Sequence, residues 1–210
     1  MNLLCIDLDN TLIDSDKPHI LAYNKAFKKH KLKKISAKKI KKLFGLVGSE
    51  IVKKLFPKLS EKEINEIVNS HDYFLNKETK KHLKPFKGVK LTLKKLKEKY
   101  KLAVISNCRH KEILIILKTV KINPKIFSAI IGNDDVNNPK PFPDEILKAQ
   151  KLLHLKAKFM IGDSIYDIKA GKKAKVKTIA VLTGNHSKIE LKKEQPDYLL
   201  NNFKDILRIL

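Results

Sequence analysis

The chain has 210 residues, enough for one domain or one domain with an insertion, and 42% of them are hydrophobic, which allows a real core. No stretch approaches the ~20 apolar residues of a membrane span, and MNLLCIDLDN lacks the basic start of a signal peptide. The net charge of +24 invites a nucleic-acid reading, but only Arg109 and Arg208 among the 46 basic residues are arginine, and the lysines are spread along the chain without interleaved aromatics. Base readout and bidentate phosphate contacts favour arginine, so the charge reads as lysine decoration of solvent-facing helices, with no specific nucleic-acid partner and no membrane partner expected.

The first apolar run, 3–6, has strand length and stops on Asp7 and Asp9, two carboxylates spaced i, i+2. It contains Cys5, read as a small buried residue; with only Cys108 besides, there is no disulfide framework, and a reducing cytoplasm is the expected compartment. From 16 to 83 no strand pattern occurs. The stretches ILAYNKAFKKH, SAKKIKKLFGLVG, EIVKKLF and SEKEINEIVNSHDYFLNKETKKHL are helical in period, and Ser60 followed by Glu63 has the spacing of a capping box. This predicts a helical cap over 16–83 inserted into a core made of 1–15 and 84–210. Pro85 and Gly88 punctuate the return to alternating structure. Helices are then predicted over 91–99, 111–118, 144–153 and 165–174, and strands over 102–106, 129–131, 159–161, 178–182 and, shortest, 198–200. That alternation predicts an α/β fold: a Rossmann-like parallel sheet in a three-layer α/β/α core.

Ligands of open α/β sheets bind beyond the carboxyl ends of the strands, and polar residues collect there. The first strand exits into DLDNT (7–11), the second into Ser106-Asn107, and the 159–161 strand into GDSIYD (162–167); Lys140 lies between them in KPFPD. Clustered carboxylates repel unless a cation sits among them, and hard oxygen donors suit Mg²⁺. Carboxylates, Mg²⁺, a lysine and turn amides together suit a phosphoryl group. Each piece alone has a plainer reading: aspartates cap turns, Ser-Asn is common in loops, and Asp163 or Ser164 can cap a helix. The four in order on successive strand ends do not.

In these four motifs the chain resembles the haloacid dehalogenase-like hydrolase superfamily, over essentially its whole length, and in its helical cap and KPFPD stretch it is most similar to the phosphoglycolate phosphatase group. The resemblance implies an Mg²⁺-dependent phosphomonoester hydrolase acting on a small phosphorylated metabolite, 2-phosphoglycolate or a similar ester, as a monomer or homodimer. It implies Asp7 as nucleophile, Asp9 as general acid/base and Thr11 as the residue positioning the Asp9 loop. Leu8, Asp9, Ser106, Asn107 and Lys140 would surround the phosphoryl group. Asp7, the Asp9 carbonyl and Asp163 would hold Mg²⁺, with Asp167 a further ligand or a supporting partner. Family members commonly carry Gly where Asn10 stands; Asn also tolerates positive φ. In the cap, Gly45 and Gly48 flank an apolar pair and are candidates for the segment facing the substrate, although a helix C-cap and turn before a new helix is by itself a sufficient and plainer explanation of them. Arg109 is a candidate for a substrate carboxylate or simply a solvated helix-start residue. The histidines other than His110 fall in cap, loop or surface patterns and suggest no metal site, and His110 receives no role. Competing readings are β-phosphoglucomutase-like isomerisation, pyrophosphate hydrolysis, a receiver-type module phosphorylated on aspartate, and a polynucleotide-binding protein with a degenerate site.

Overall fold

A computed structural model describes residues 1–78 and 81–210. The main sheet has six strands: β1 (Asn2–Ile6), β4 (Tyr100–Ser106), β5 (Ala129–Gly132), β6 (Ala157–Gly162), β7 (Lys177–Val181) and β8 (Tyr198–Leu200). Its spatial order is β5-β4-β1-β6-β7-β8 and every pair is parallel. All six are the strands expected from the sequence, each within two residues at its ends. A parallel sheet hides both faces under its crossover helices, so its strands read as continuous apolar runs. In β1 the alternation divides the core: Leu4 and Ile6 join one buried cluster, Leu3 and Cys5 the other. The first cluster is closed by α5 (Val89–Lys99), α6 (His110–Thr119) and the 3₁₀ segment Phe203–Arg208, through Leu93, Leu96, Ile113, Ile116, Phe203 and Ile206. The second is closed by α7 (Asp144–Leu153) and α8 (Ile165–Lys173), through Ile146, Ala149 and Ala170.

Between β1 and β4 the chain forms α1 (Asp16–Lys29), α2 (Ala37–Lys41), α3 (Gly48–Leu55) and α4 (Glu61–Glu78). These helices pack around a core of their own, centred on Tyr23, Phe27, Ile40, Ile51, Ile64 and Ile67. The Ser60–Glu63 capping box starts α4: Ser60 N–H and Oγ–H both donate to Glu63 Oε2, at 2.8 and 2.7 Å. The neck of the insertion holds a strand pair that the sequence does not announce. There β2 (Ile13–Asp14) pairs antiparallel with β3 (Lys84–Pro85), Ile13 opposite Pro85. Two residues carry no period to detect, so only the meeting of outgoing and returning chain reveals the pair. The short helix α9 (Lys188–Lys193) was likewise unexpected.

The strand order fixes the site. The chain moves from β1 outward through β4 and β5, then crosses back to β6 on the other side of β1. This reversal is a topological switch point, where a crevice opens between the carboxyl ends of β1, β4 and β6.

Candidate active site

The loop after β1 is wound tightly. Leu8 O accepts from both Leu12 N–H (2.9 Å) and Ile13 N–H (3.1 Å), and Asn10 adopts φ 55°, the left-handed conformation that Asn tolerates. The turn is tied down from outside: Thr183 Oγ1 donates to Asn10 O (2.6 Å), and Asn10 and Asn185 both donate to Asp16 Oδ1. Asp7 N–H donates to Ile161 O at 2.9 Å, which sets Asp7 between β4 and β6.

Around Asp7 the predicted residues converge. Lys140 Nζ donates to Asp7 Oδ1 (2.7 Å) and to Asp167 Oδ1 (2.8 Å), with its side chain 3% exposed. Thr11 Oγ1 lies 2.9 Å from Asp7 Oδ2 and 3.1 Å from Asp163 Oδ1, so its one proton is shared between them. Ser106 is buried and its Oγ accepts from Cys108 N–H (3.1 Å). Asn107 Nδ2 donates to Lys140 O (3.0 Å) and to Gly45 O (2.6 Å), which ties the β4 exit to the insertion. Gly45 has φ +95° and packs on Tyr166, while Gly48 opens α3 against Tyr23 and Val68; both line the pocket. The Leu8 side chain lies in the core and is not among the lining residues, so this chain leaves at most its backbone to the phosphoryl site.

One carboxylate oxygen each from Asp7, Asp163 and Asp167 lie within 4.8 Å of one another, all buried. Burial pushes Asp7 up to about 7 against the pull of Lys140, and burial with the charges of Asp7 and Asp167 raises Asp163 well above the carboxylate range. Burial opposes the ammonium of Lys140, yet Asp167 and Asp7 hold it protonated far above its ordinary range. Three buried carboxyls against one ammonium leave the cluster short of positive charge, and its hard oxygens are a donor set that fits Mg²⁺. Asp167 has less to offer than the other two. Lys140 engages its Oδ1, while Ser164 N–H and Oγ–H engage Oδ2 in the capping box of α8.

Several contributors escaped the sequence reading. His19 and His71, placed there among unremarkable cap histidines, are buried and reach the site: His19 Nε2 lies 3.3 Å from Asp9 Oδ1, and His19 Nδ1 3.1 Å from His71 Nε2. The clue was available, because His19 and Tyr23 stand i, i+4 on the buried face of α1. Cys108 Sγ–H donates to Asp9 Oδ2 (3.1 Å). Burial works against charge on Asp9, but the hydrogen bond and charge of His19, with the Cys108 contact, hold the carboxyl down at about 2. Glu145, fully buried, accepts the Lys140 N–H at 3.2 Å, and burial pushes it up to about 7. Arg109 lines the pocket but is engaged by the insertion, donating to Asn69 Oδ1 (2.8 Å) and pairing with Asp72 (3.2 Å). His110 binds Asp135 at 2.7 Å. On the far side the pocket is walled by Tyr23, Phe44, Leu46, Ile51 and Val68 of the insertion.

A Rossmann-like core whose strand ends present this carboxylate and lysine cluster under a helical insertion defines a class of phosphoryl-transfer hydrolases. The haloacid dehalogenase-like hydrolase family matches residues 4–181. The chain belongs to that family, and it is one of its phosphatases. Phosphoglycolate phosphatase of Aquifex aeolicus is 30% identical over all of this chain and 97% of its own length. Pyrophosphatase PpaX of Halalkalibacterium halodurans is 29% identical over the same shares. Among solved structures, a hydrolase from Pseudomonas syringae covers the whole chain and 97% of its own with a TM-score of 0.88 at 23% identity, a likeness of fold. Among the described residues no helix is long and apolar enough to cross a membrane.

Proposed function

We propose that the chain hydrolyses small phosphate monoesters through an aspartyl-phosphate on Asp7, with Mg²⁺ held by Asp7, the Asp9 carbonyl and Asp163. The observation that carries this is the convergence of Lys140 and Thr11 on Asp7 at the switch point of the sheet. Asp7 forms the bond to phosphorus as the ester oxygen departs, which divides one hard displacement into two easier ones. Ser106, the Asn107 amide and Lys140 bind the transferred oxygens, with Lys140 opposing the negative charge that builds on them. Bound Mg²⁺ would supply further charge neutralisation and orient the phosphoryl group. Asp9 gives a proton to the leaving oxygen and later takes one from the hydrolytic water. His19, held charged against Asp9, is the nearest store of that first proton. Asp167 orients Lys140.

The substrate is 2-phosphoglycolate or an ester of similar size, enclosed between the strand ends and the insertion, which acts as a lid. Pyrophosphate is the second reading, favoured by the PpaX relatives. Steady-state hydrolysis of p-nitrophenyl phosphate with and without Mg²⁺ tests the class. The wild type turns over many times and Asp7→Asn loses on the order of 10⁴-fold or more. A stable phosphoryl adduct without turnover points instead to a receiver-type module. Comparing 2-phosphoglycolate with pyrophosphate then decides the substrate.

A further inference from the structure

Asp9 also belongs to a second cluster, distinct in chemistry from the oxygen site. Its Oδ1 lies 3.3 Å from His19 Nε2 on α1 and its Oδ2 3.1 Å from Cys108 Sγ at the exit of β4, and one donor atom from each residue lies within 4.8 Å of the others. A carboxylate oxygen, an imidazole nitrogen and a sulfur are a poor set for Mg²⁺ but a good one for Zn²⁺. Tetrahedral Zn²⁺ with bonds of about 2.0 to 2.3 Å separates its ligand atoms by roughly 3.3 to 3.8 Å. One donor atom from each of Asp9, His19 and Cys108 lies within 4.8 Å of the others, so side-chain adjustments of about an ångström bring the three to that spacing.

A second observation concerns how His19 is held. His71 Nδ1 faces Asp72 Oδ1 at 2.9 Å, and a carboxylate only accepts, so that nitrogen carries hydrogen. With Nδ1 carrying its hydrogen, a neutral His71 ring presents Nε2 as an acceptor to His19 Nδ1–H, 3.1 Å away. The proton on His19 Nδ1 is thereby fixed, and Nε2, aimed at Asp9, holds either a second proton or a lone pair free for a cation. Metal-binding imidazoles are oriented by an acceptor on the other ring nitrogen, and His71, itself held by Asp72, takes that place for His19. The cluster lines the pocket, so solvent cations have a route to it.

We propose that Asp9, His19 and Cys108 form a second cation site that prefers Zn²⁺ to Mg²⁺ and whose occupation switches the phosphatase off. Binding forms one bond each to oxygen, nitrogen and sulfur. The protons on His19 Nε2 and Cys108 Sγ leave to solvent, and no electron is transferred. The occupied site withdraws Asp9 from proton transfer and pins α1 of the lid to the β4 exit. The switching half rests on the phosphatase reading; the binding half does not.

Co²⁺ substituted for Zn²⁺ reports binding without any turnover. With Mg²⁺ in excess to fill the oxygen site, the wild type takes up one Co²⁺ per chain and shows a thiolate-to-cobalt charge-transfer band. Cys108→Ala and Cys108→Ser both lose the band. His71→Asn keeps the band but weakens binding by about 10- to 100-fold. Zn²⁺ inhibits hydrolysis of p-nitrophenyl phosphate at high Mg²⁺ in the wild type and far less in the Cys108 variants. A cobalt complex with no thiolate band overturns the site itself. Inhibition equal in Cys108→Ala and reversed by Mg²⁺ means that Zn²⁺ competes at the oxygen site, which overturns the proposal. A thiolate band with full activity retained overturns the switch alone.

Discussion

Replacing Lys140 with Met keeps most of the side-chain volume and removes the only ammonium that pairs with the carboxylate cluster among the described residues. Its Nζ lies 2.7 Å from Asp7 and 2.8 Å from Asp167, and all three side chains are less than a tenth exposed. At an effective dielectric of about 20, each contact is worth roughly 6 kcal/mol of attraction. Desolvating three charges cancels most of that, so the intact arrangement contributes little net stability. Deleting one partner is different, because it leaves two buried carboxylates facing Asp163 without a counter-charge, at a cost of about 3–5 kcal/mol. Protonation absorbs part of the cost. Asp7 already titrates at about 7 with Lys140 present, and without the lysine the cluster binds protons more readily still. The folded variant therefore holds protons that its unfolded chain has released, and its stability falls as pH rises. Urea denaturation with divalent cations chelated should show a larger deficit at about pH 8 than at about pH 6. A variant within about 1 kcal/mol of wild type at both values would refute this account of the cluster.

Three further perturbations test other parts of the site. Glu145 has its folded pKa raised from 4.5 to about 7, so the stability its protonated form contributes is complete below about 4.5 and lost as pH rises through about 7. Glu145→Gln should gain on the wild type by up to about 3 kcal/mol across that window in chemical denaturation, whereas a pH-independent difference would contradict the burial argument. A Cβ on Gly184 would stand 1.7 Å from Asp163 Oδ2, so Gly184→Ala should displace that carboxylate and raise the Mg²⁺ concentration for half-maximal activity about 10-fold or more, as read by magnesium titration. Gly45→Ala places a Cβ at φ +95° and 2.7 Å from Tyr166 Cδ2, which should cost about 1–3 kcal/mol in thermal denaturation and loosen the contact between lid and core.

The sequence by itself determined the parallel sheet. Runs such as LLCI and LAVI are continuous because both faces of a parallel strand are buried, so their signal is local and survives without knowledge of neighbours. The polar residues after those strands were equally legible, since Asp7, Ser106, Lys140 and Asp163 each interrupt an apolar pattern or punctuate a turn. The tertiary structure decided everything that depends on two distant segments meeting. The neck pair at 13–14 and 84–85 is too short for any period, and Glu145 looks like an ordinary helix-start acid until the fold buries it under Lys140. Arg109 reads as a free cation until Asp72 and Asn69 of the insertion take it up. His19, 12 residues beyond Asp7 in the sequence, gains its meaning only when α1 folds over the strand ends. It then meets Asp9 and stands beside Cys108, 89 residues away along the chain. Hydrophobic period is written in neighbouring residues, whereas the charge and proton state of a buried group is set by whatever the fold brings against it.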